Sequence, residues 1–489
     1  MPNPGGDTPT RAKKTHTANY ESAHVDDARA TVTSDIPEVP EVTLDSTLGA
    51  FFILNSGYLE PACEILISNR SIKNWNRNPR WKWLRRDPKN VQPHENIVFN
   101  CFGEIWEAVR AVAPPELKGS CMNCMIDGNG TPFSSRNNQS RPDGFLYEGQ
   151  KQNAPNQVGW AAIVQSMEFK KRRDKSAKID DYAKATWSMH HVMRNDARRR
   201  FVFGLTCENT TARLWYNDRC DIVASEEFDI NKDWKILVHI FLSMLQATPD
   251  RLGYDPDMEL RPSLSPTAEP EYDITIHNKD TGKTTIYRTR EMISDAGTNS
   301  PVGSGTRVWS VNELEEGAKS ADTYVLKDTW IPEDRTPEYT IVKNIREAQP
   351  VFSQHFLTIR DYGFGSFSFA QDDNTHGTLR RKNLEPTNNV LAIRSCTTRG
   401  RSQKDQGTPR GPVGYLRHPP GPHPKGIRDF RHLSEHPLKH CRIVFVETGT
   451  PVHKLKDFND IFTAVGGGLK GTHSVEPSQP PLILFRFIV

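Results

Sequence analysis

The stretch Thr323–Tyr339, TYVLKDTWIPEDRTPEY, decides how the second half of the chain is read. Tyr324, Val325 and Leu326 form a short apolar run that favours a strand, and Lys327 follows inside it. Glu338 arrives where the next helix begins, in a segment that predicts a helix over Thr336–Ala348. Upstream, Gly303 and Gly305 stand in GSGT, just ahead of the strand-like RVWSV. Glycines let a backbone loop lie close over phosphates, a strand lysine can contact those phosphates, and a helix glutamate can orient the lysine. A tight hairpin asks for the same glycines, and a solvated lysine at a strand end needs no ligand. Taken singly, these residues fit both readings.

Further strands surround the stretch. EYDITIHN and KTTIYRTRE read as a pair joined by the turn KDTG, and HFLTIRDYG supplies another strand. The expected unit is an antiparallel sheet carrying one helix, over residues 261–370. From Gln371 to His440 the composition changes to Arg, Gly, Pro, Asn and His, with 13 Lys and Arg against 6 Asp and Glu. That segment predicts a disordered basic insert over 371–440. Order is expected again over 441–470, where CRIVFVETGTPVHKLKDFNDIFTAV reads as strand, turn and amphipathic helix, followed by an atypical tail over 471–489.

The N-terminal part reads as a separate α/β unit over 46–260, after a disordered tail over 1–45 rich in Pro, Thr, Asp and Glu. ENIVFNCFGEIWEAVRAV places Ile97, Phe99, Phe102, Ile105, Trp106 and Val109 on one helical face. DGFLYEG and WAAIVQSMEFK predict strands. IDDYAKATWSMHHVMRNDA predicts a helix from Ile179 to Ala197, capped by Asp180 or Asp181. Phe201–Thr206 and Ala212–Tyr216 predict a hairpin, and WKILVHIFLSMLQA an apolar helix. The expected fold class is therefore α/β (α+β), with long disordered segments.

Composition narrows the function classes. The 489 residues carry 63 Lys and Arg against 60 Asp and Glu, so no global charge points to nucleic acid, and a nucleic-acid signal has to be local. No stretch is long and apolar enough for a secretory leader or a bilayer span, which predicts a chain away from membranes. Eight scattered cysteines, with Cys121 and Cys124 as a lone C-x-x-C, predict free thiols in cytoplasm or nucleus.

RRFVFGLTCENTTARLWYNDR, FDI, RLGYDP, GTRVW, YVLKDTW and CRIVFVETGTPVHKLKDFNDIF occur in this order and together resemble the fungal-type protein kinase family over roughly 140–465. The resemblance implies that the second unit is a kinase N-lobe that binds ATP. By that likeness Gly303 and Gly305 match the glycine-rich loop, Lys327 the phosphate lysine and Glu338 its helix partner. Glu447 and Thr448 fall in the hinge that meets adenine. The implied activity is ATP-dependent phosphorylation of Ser or Thr on a protein substrate, with magnesium. The sequence also departs from the family. No His-Arg-Asp follows Val465, HCR at His440 and RDYG at Arg360–Gly363 precede the hinge, and IRDF at Ile427 lies in the insert. Phosphotransfer needs an Asp and an Asn that position nucleophile and metal. The expectation is a kinase-like chain truncated after its hinge helix, from a misread intron or a degenerate gene copy, and catalytically inactive alone.

A rival chemistry sits in the first unit. Asp143 begins one strand, and Glu168 and Lys170, two apart on a later strand, share a face. The pattern resembles PD-(D/E)XK nucleases, in which the carboxylates hold magnesium and the lysine assists water. The adjacent KKRRDKSAK would suit a nucleic-acid backbone. A turn cap at Asp143 and a surface pair of Glu168 with Lys170 explain the same residues. KKRRDKSAK with ARRR at Ala197–Arg200 reads either as a nuclear import signal or as a solvated basic face. A third class, a non-catalytic ATP-binding interaction protein, also fits the truncated kinase pattern.

Overall fold

The computed structural model describes residues 39–449 except 76–77, 135–139, 263–267, 316–317, 320–321, 369–370, 376–378, 380–382 and 394–436, together with 29, 32–33, 36 and 457. The chain is mixed α and β, as expected, and is built around two large sheets.

The first sheet has the spatial order Pro386–Leu391, Val39–Val42, Ile222–Ser225, Thr211–Asp218, Phe201–Glu208, Ile163–Lys170, Gly144–Glu148, Met122–Ile126. Ile163–Lys170 runs parallel to Phe201–Glu208, and Val39–Val42 parallel to Ile222–Ser225. The parallel crossover after Lys170 is made by the helix Lys175–Asn195, as a parallel pair requires. That helix buries Met189, Val192 and Met193 with Phe145, Ile163 and Trp215 on one face. Helices Leu59–Ser68, Cys101–Val112 and Trp234–Gln246 cover the other, where Phe102, Trp106 and Phe241 meet Leu146 and Phe203. Phe201–Glu208 and Thr211–Asp218 are buried along their whole length, because helices close both faces.

The second sheet has the order Met258–Leu260, Tyr272–Asn278, Lys283–Ser294, Arg307–Glu315, Tyr324–Pro332, Leu438–Phe445, Ile359–Phe364, all antiparallel. One helix, Glu338–Ala348, follows the Lys327 strand. Leu438–Phe445 comes last in the chain yet lies between the two strands that precede it, so the intervening residues leave the sheet and return.

Several local expectations change. Val39–Val42 and Pro386–Leu391 lie in segments read as disordered, yet they pair with each other and complete the first sheet. Their stretches are too short and too Pro-rich for periodicity to register. The long helix is capped by Asp174, whose side chain accepts from the Ala177 amide at 3.1 Å, not by Asp180 or Asp181, which lie inside it. Its first turn is polar and therefore carries no apolar signal. Glu95–Val112 is two helices, Glu95–Val98 and Cys101–Val112, and the break leaves Ile97 63% exposed. Trp160–Ala162 is a 3₁₀ turn before the strand begins. ARRR is not a solvated face: Arg199 and Arg200 are buried, with Arg199 3.7 Å over the Tyr254 ring. The helix expected after the hinge, residue 427 of IRDF and the tail lie outside the described residues.

RLGYDP supplies a structural turn. Gly253 has φ +94°, and a Cβ there would stand 2.2 Å from the Phe201 carbonyl oxygen. Gly253→Ala is expected to cost about 2–3 kcal/mol through combined strain and close approach. Urea unfolding of the variant checks this, and a change under 0.5 kcal/mol would refute it.

Candidate functional site

Lys327 lies on the Tyr324–Pro332 strand, opposite Val308 on one side and Ile443 on the other. Alternation puts its side chain on the same face as Val325, which packs with Val308, Cys441, Ile443 and Phe445. The helix Glu338–Ala348 crosses this face through Tyr339. Lys327 Nζ meets Glu338 Oε2 at 2.5 Å, with side chains 12% and 19% exposed. The expected pair is therefore formed, and Glu338 Oε1 remains buried without a hydrogen-bond partner. Partial burial strengthens such a pair relative to a surface one.

The glycine loop sits near this pair along the strand. Ser304 O accepts from the Trp330 amide at 2.8 Å, and Thr306 Oγ1 lies 2.7 Å from Thr329 Oγ1. Gly303 and Gly305 have φ of +119° and +53°, the left-handed region open to glycine. The loop leans on the first unit. The Gly303 amide donates to Arg219 O at 2.6 Å, and a Cβ on Gly305 would meet Arg219 Nε at 2.9 Å. Arg219 is wholly buried, and burial first, then nearby Arg307, pulls its guanidinium down to about 9. Glu447, in the stretch expected to be the hinge, accepts the Thr358 amide through Oε2 at 2.7 Å.

The opposite face of the same sheet carries a buried charge cluster that sequence reading missed. Asp328 accepts from His440 Nε2 at 2.7 Å and Arg442 Nε at 3.0 Å. Arg442 also reaches Asp255, and Arg200 reaches Asp373 at 3.2 Å. Asp255 and Asp373 lie 3.5 and 3.4 Å from His440 Nδ1, and the His440 ring stacks on Trp330 at 4.6 Å. Burial opposes charge on His440, but Asp328 and Asp373 outweigh it and raise the imidazole to about 9. Asp328 is held below the usual carboxylate range despite burial, by His440 and Arg442. The cluster joins Arg200 and Asp255 to the second sheet. HCR is thus a fastening element, and RDYG is structural too: Asp361 accepts from Asn278 at 2.8 Å and Tyr287 at 3.2 Å.

In the first unit, Asp143 and Glu168 do come together. Their carboxylates and that of Asp181 lie within 4.8 Å of one another, a grouping that could hold a metal ion. Asp143 accepts the Phe169 amide at 2.8 Å, and Glu168 accepts the Ser188 hydroxyl at 2.8 Å. Glu168 Oε2 is buried without a hydrogen-bond partner, and the buried carboxyls of Asp181 and Glu208 face each other. Burial, then Asp143, pushes Glu168 up to about 8, and burial raises Asp143, Asp181 and Glu208 as well. Lys170 faces the same helix as Glu168, but its amine lies 3.1 Å from Asp180 and 3.8 Å from Glu95. Asp181 was missed because an Asp near a helix start reads as a cap. Its spacing to Ser188, i and i+7, places both on one face and was the available signal. Cys121 and Cys124 are free thiols, as are the other described cysteines.

Among the described residues no helix is long and apolar enough to cross a membrane. Comparison with curated proteins and with solved structures gave no significant match. The profile of the fungal protein kinase family matches residues 141–476, which includes the Lys327 strand, the Gly303–Gly305 loop, the Leu438–Phe445 strand and the carboxylate group. That match covers more than half of the 489 residues, and the chain belongs to the fungal protein kinase family.

Proposed function

We propose that the second sheet holds ATP. Lys327 contacts the phosphates, Glu338 orients it, the Gly303–Gly305 loop covers the nucleotide and the hinge backbone at Glu447 and Thr448 meets adenine. The observation that carries this reading is the 2.5 Å pair between Lys327 and Glu338, which joins strand to helix. Such a pair positions a strand lysine for phosphate oxygens in protein kinases. Magnesium would arrive with the nucleotide and neutralise its phosphates. The reading is of a nucleotide-binding, kinase-like unit spanning 261–370 and 441–470.

Thermal unfolding with and without Mg-ATP tests it. Saturation at about 100 times Kd is expected to add about 2.7 kcal/mol, and Lys327→Met to remove most of that gain. No shift in the wild-type chain would overturn nucleotide binding. Phosphate transfer by the purified chain that Lys327→Met abolishes would extend the reading from binding to catalysis.

A second reading is favoured by the carboxylate grouping. Asp143, Glu168 and Asp181 fit a hard divalent cation, since buried carboxylate oxygens without donors suit oxygen-seeking ions. A bound magnesium or manganese ion supplies Lewis acidity toward a phosphodiester. Asp143 and Glu168 would bind it, Ser188 would orient Glu168, and Lys170 would have to leave Asp180 to approach the site. This is the metal arrangement of a nuclease-like unit, and cation binding is its first test.

A further inference from the structure

The basic cluster after Lys170 has a counterpart 100 residues earlier in the chain. Residues 70–89, RSIKNWNRNPRWKWLRRDPK, contain eight Lys and Arg against one Asp. They form a hairpin, Ile72–Trp75 with Asn78–Trp81, in which Lys73 faces Arg80. Ile72 and Trp81 of the hairpin are turned inward. Trp81 is buried, donates through Nε1 to Ile230 O at 2.8 Å, and meets Trp234 edge-on at 6.2 Å. Leu84 and Pro88 are buried beside it. What remains outward is cationic: Arg70, Arg85, Arg86 and Lys89 are exposed.

The fold brings this strip against the second one. The Lys89 amide donates to Asn209 Oδ1 at 3.1 Å, and the Asn209 amide donates to Lys170 O at 2.7 Å. Lys171 Nζ donates to Val91 O at 2.6 Å and Pro93 O at 2.9 Å. Lys171, Arg172, Arg173, Lys175 and Lys178 thus begin where Lys89 ends. Arg172 is 80% exposed at its side chain, and Lys175 is exposed. Four of these cations have counter-charges: Asp87 holds Arg80 at 2.8 Å, Asp174 holds Arg172 at 2.7 Å, and Glu227 holds Arg173 at 2.5 Å and also pairs with Lys178. In a chain whose formal net charge is only +3, this is a segregated cationic face.

We propose that the two strips, Arg70–Lys89 and Lys171–Lys178, form one face that binds the phosphate backbone of a nucleic acid. Two rigidly anchored cationic strips side by side suit a linear polyanion with regularly spaced charges. Arg predominates among the outward groups, and its planar fork pairs with phosphate oxygens in two places at once. A surface that enters a lipid bilayer instead presents apolar side chains within its basic face, whereas Trp81, Leu84 and Pro88 of this strip are buried and the half-buried Trp83 lies under Lys82 at 4.2 Å. The proposal is independent of cation binding at Asp143 and Glu168 and of nucleotide binding at Lys327.

Fluorescence anisotropy on the full chain, in EDTA, with labelled 20-residue single-stranded and duplex oligonucleotides, decides the matter. Affinity is expected to fall at least tenfold between about 50 and 200 mM KCl, as phosphate neutralisation requires. The triple variant Arg85→Ala, Arg86→Ala, Lys89→Ala should weaken binding and lower the salt slope by about 3. Arg172→Ala with Lys175→Ala, on the other strip, should lower it by about 2. All these positions are exposed, so each variant should keep the wild-type unfolding midpoint. Absence of binding at 50 mM salt, unchanged slopes in both folded variants, or stronger binding to phosphatidylserine vesicles than to either oligonucleotide would overturn it.

Discussion

Asp328→Ala is expected to destabilise the folded chain by about 3–5 kcal/mol, because it removes the counter-charge that buried His440 and Arg442 share. Asp328 is 2% exposed and binds both His440 and Arg442. Its removal leaves two positive groups in a region where water cannot replace it. The effect should depend on pH. The folded-state value of His440 is raised from 6.5 to about 9, so its stabilising contribution is complete below pH 6.5 and is lost as pH rises through about 9. Asp328 is shifted the other way. Its contribution is present above its ordinary value of 3.8 and is lost in acid. The variant's deficit should therefore be largest near pH 5–6.5 and shrink toward pH 9. Urea unfolding at pH 6 and pH 9 measures it. A deficit below 1 kcal/mol, or one equal at both values, would show that the cluster does not act as described.

Glu168→Gln should have the opposite sign. Burial and Asp143 raise the Glu168 carboxyl from 4.5 to about 8, so the unfolded chain releases a proton that the folded chain retains. Stability contributed at this position therefore falls as pH rises from 4.5 to 8. Removing the ionisable group should stabilise the chain on the order of 2–4 kcal/mol at pH 8 and have little effect at pH 4.5. A divalent cation should reverse the order. Manganese at 100 times Kd is expected to add about 2.7 kcal/mol to the wild-type chain and far less to the variant. Calorimetry at pH 8, with EDTA or manganese, tests both parts. A destabilised variant in EDTA would contradict the charge argument, and equal manganese shifts would contradict the cation site.

Legibility followed the range of the interaction. Strands and helices with their own apolar pattern, such as Tyr272–Asn278 and Trp234–Gln246, could be read directly. The Lys327–Glu338 pair was readable because both partners belong to one strand–helix unit. Strand alternation put Glu168 and Lys170 on one face, and Asp143 was joined to them by the likeness to the PD-(D/E)XK pattern. Asp181 and the Asp328–His440–Arg442–Asp255 group were not, since no local pattern shows that residues from separate segments share one buried volume. Pro386–Leu391 was invisible for the same reason: its strand state depends on Val39–Val42, not on its own composition.

That last pairing bears on how the molecule is made. Val39 emerges early from the ribosome, but Leu391, its partner, emerges only after the whole second sheet except its Leu438–Phe445 strand. At ~5–20 residues per second the wait is on the order of tens of seconds. Once Ile222–Ser225 has joined it, and until Pro386–Leu391 arrives, the first sheet has an uncovered edge at Val39–Val42, the kind of edge that other strands can join. Glu41 stands on that edge and ends up bonded to Thr387 and Asn389. Its other oxygen pairs with Arg213 at 2.6 Å, so one acidic residue ties the last strand to arrive to the body of the sheet.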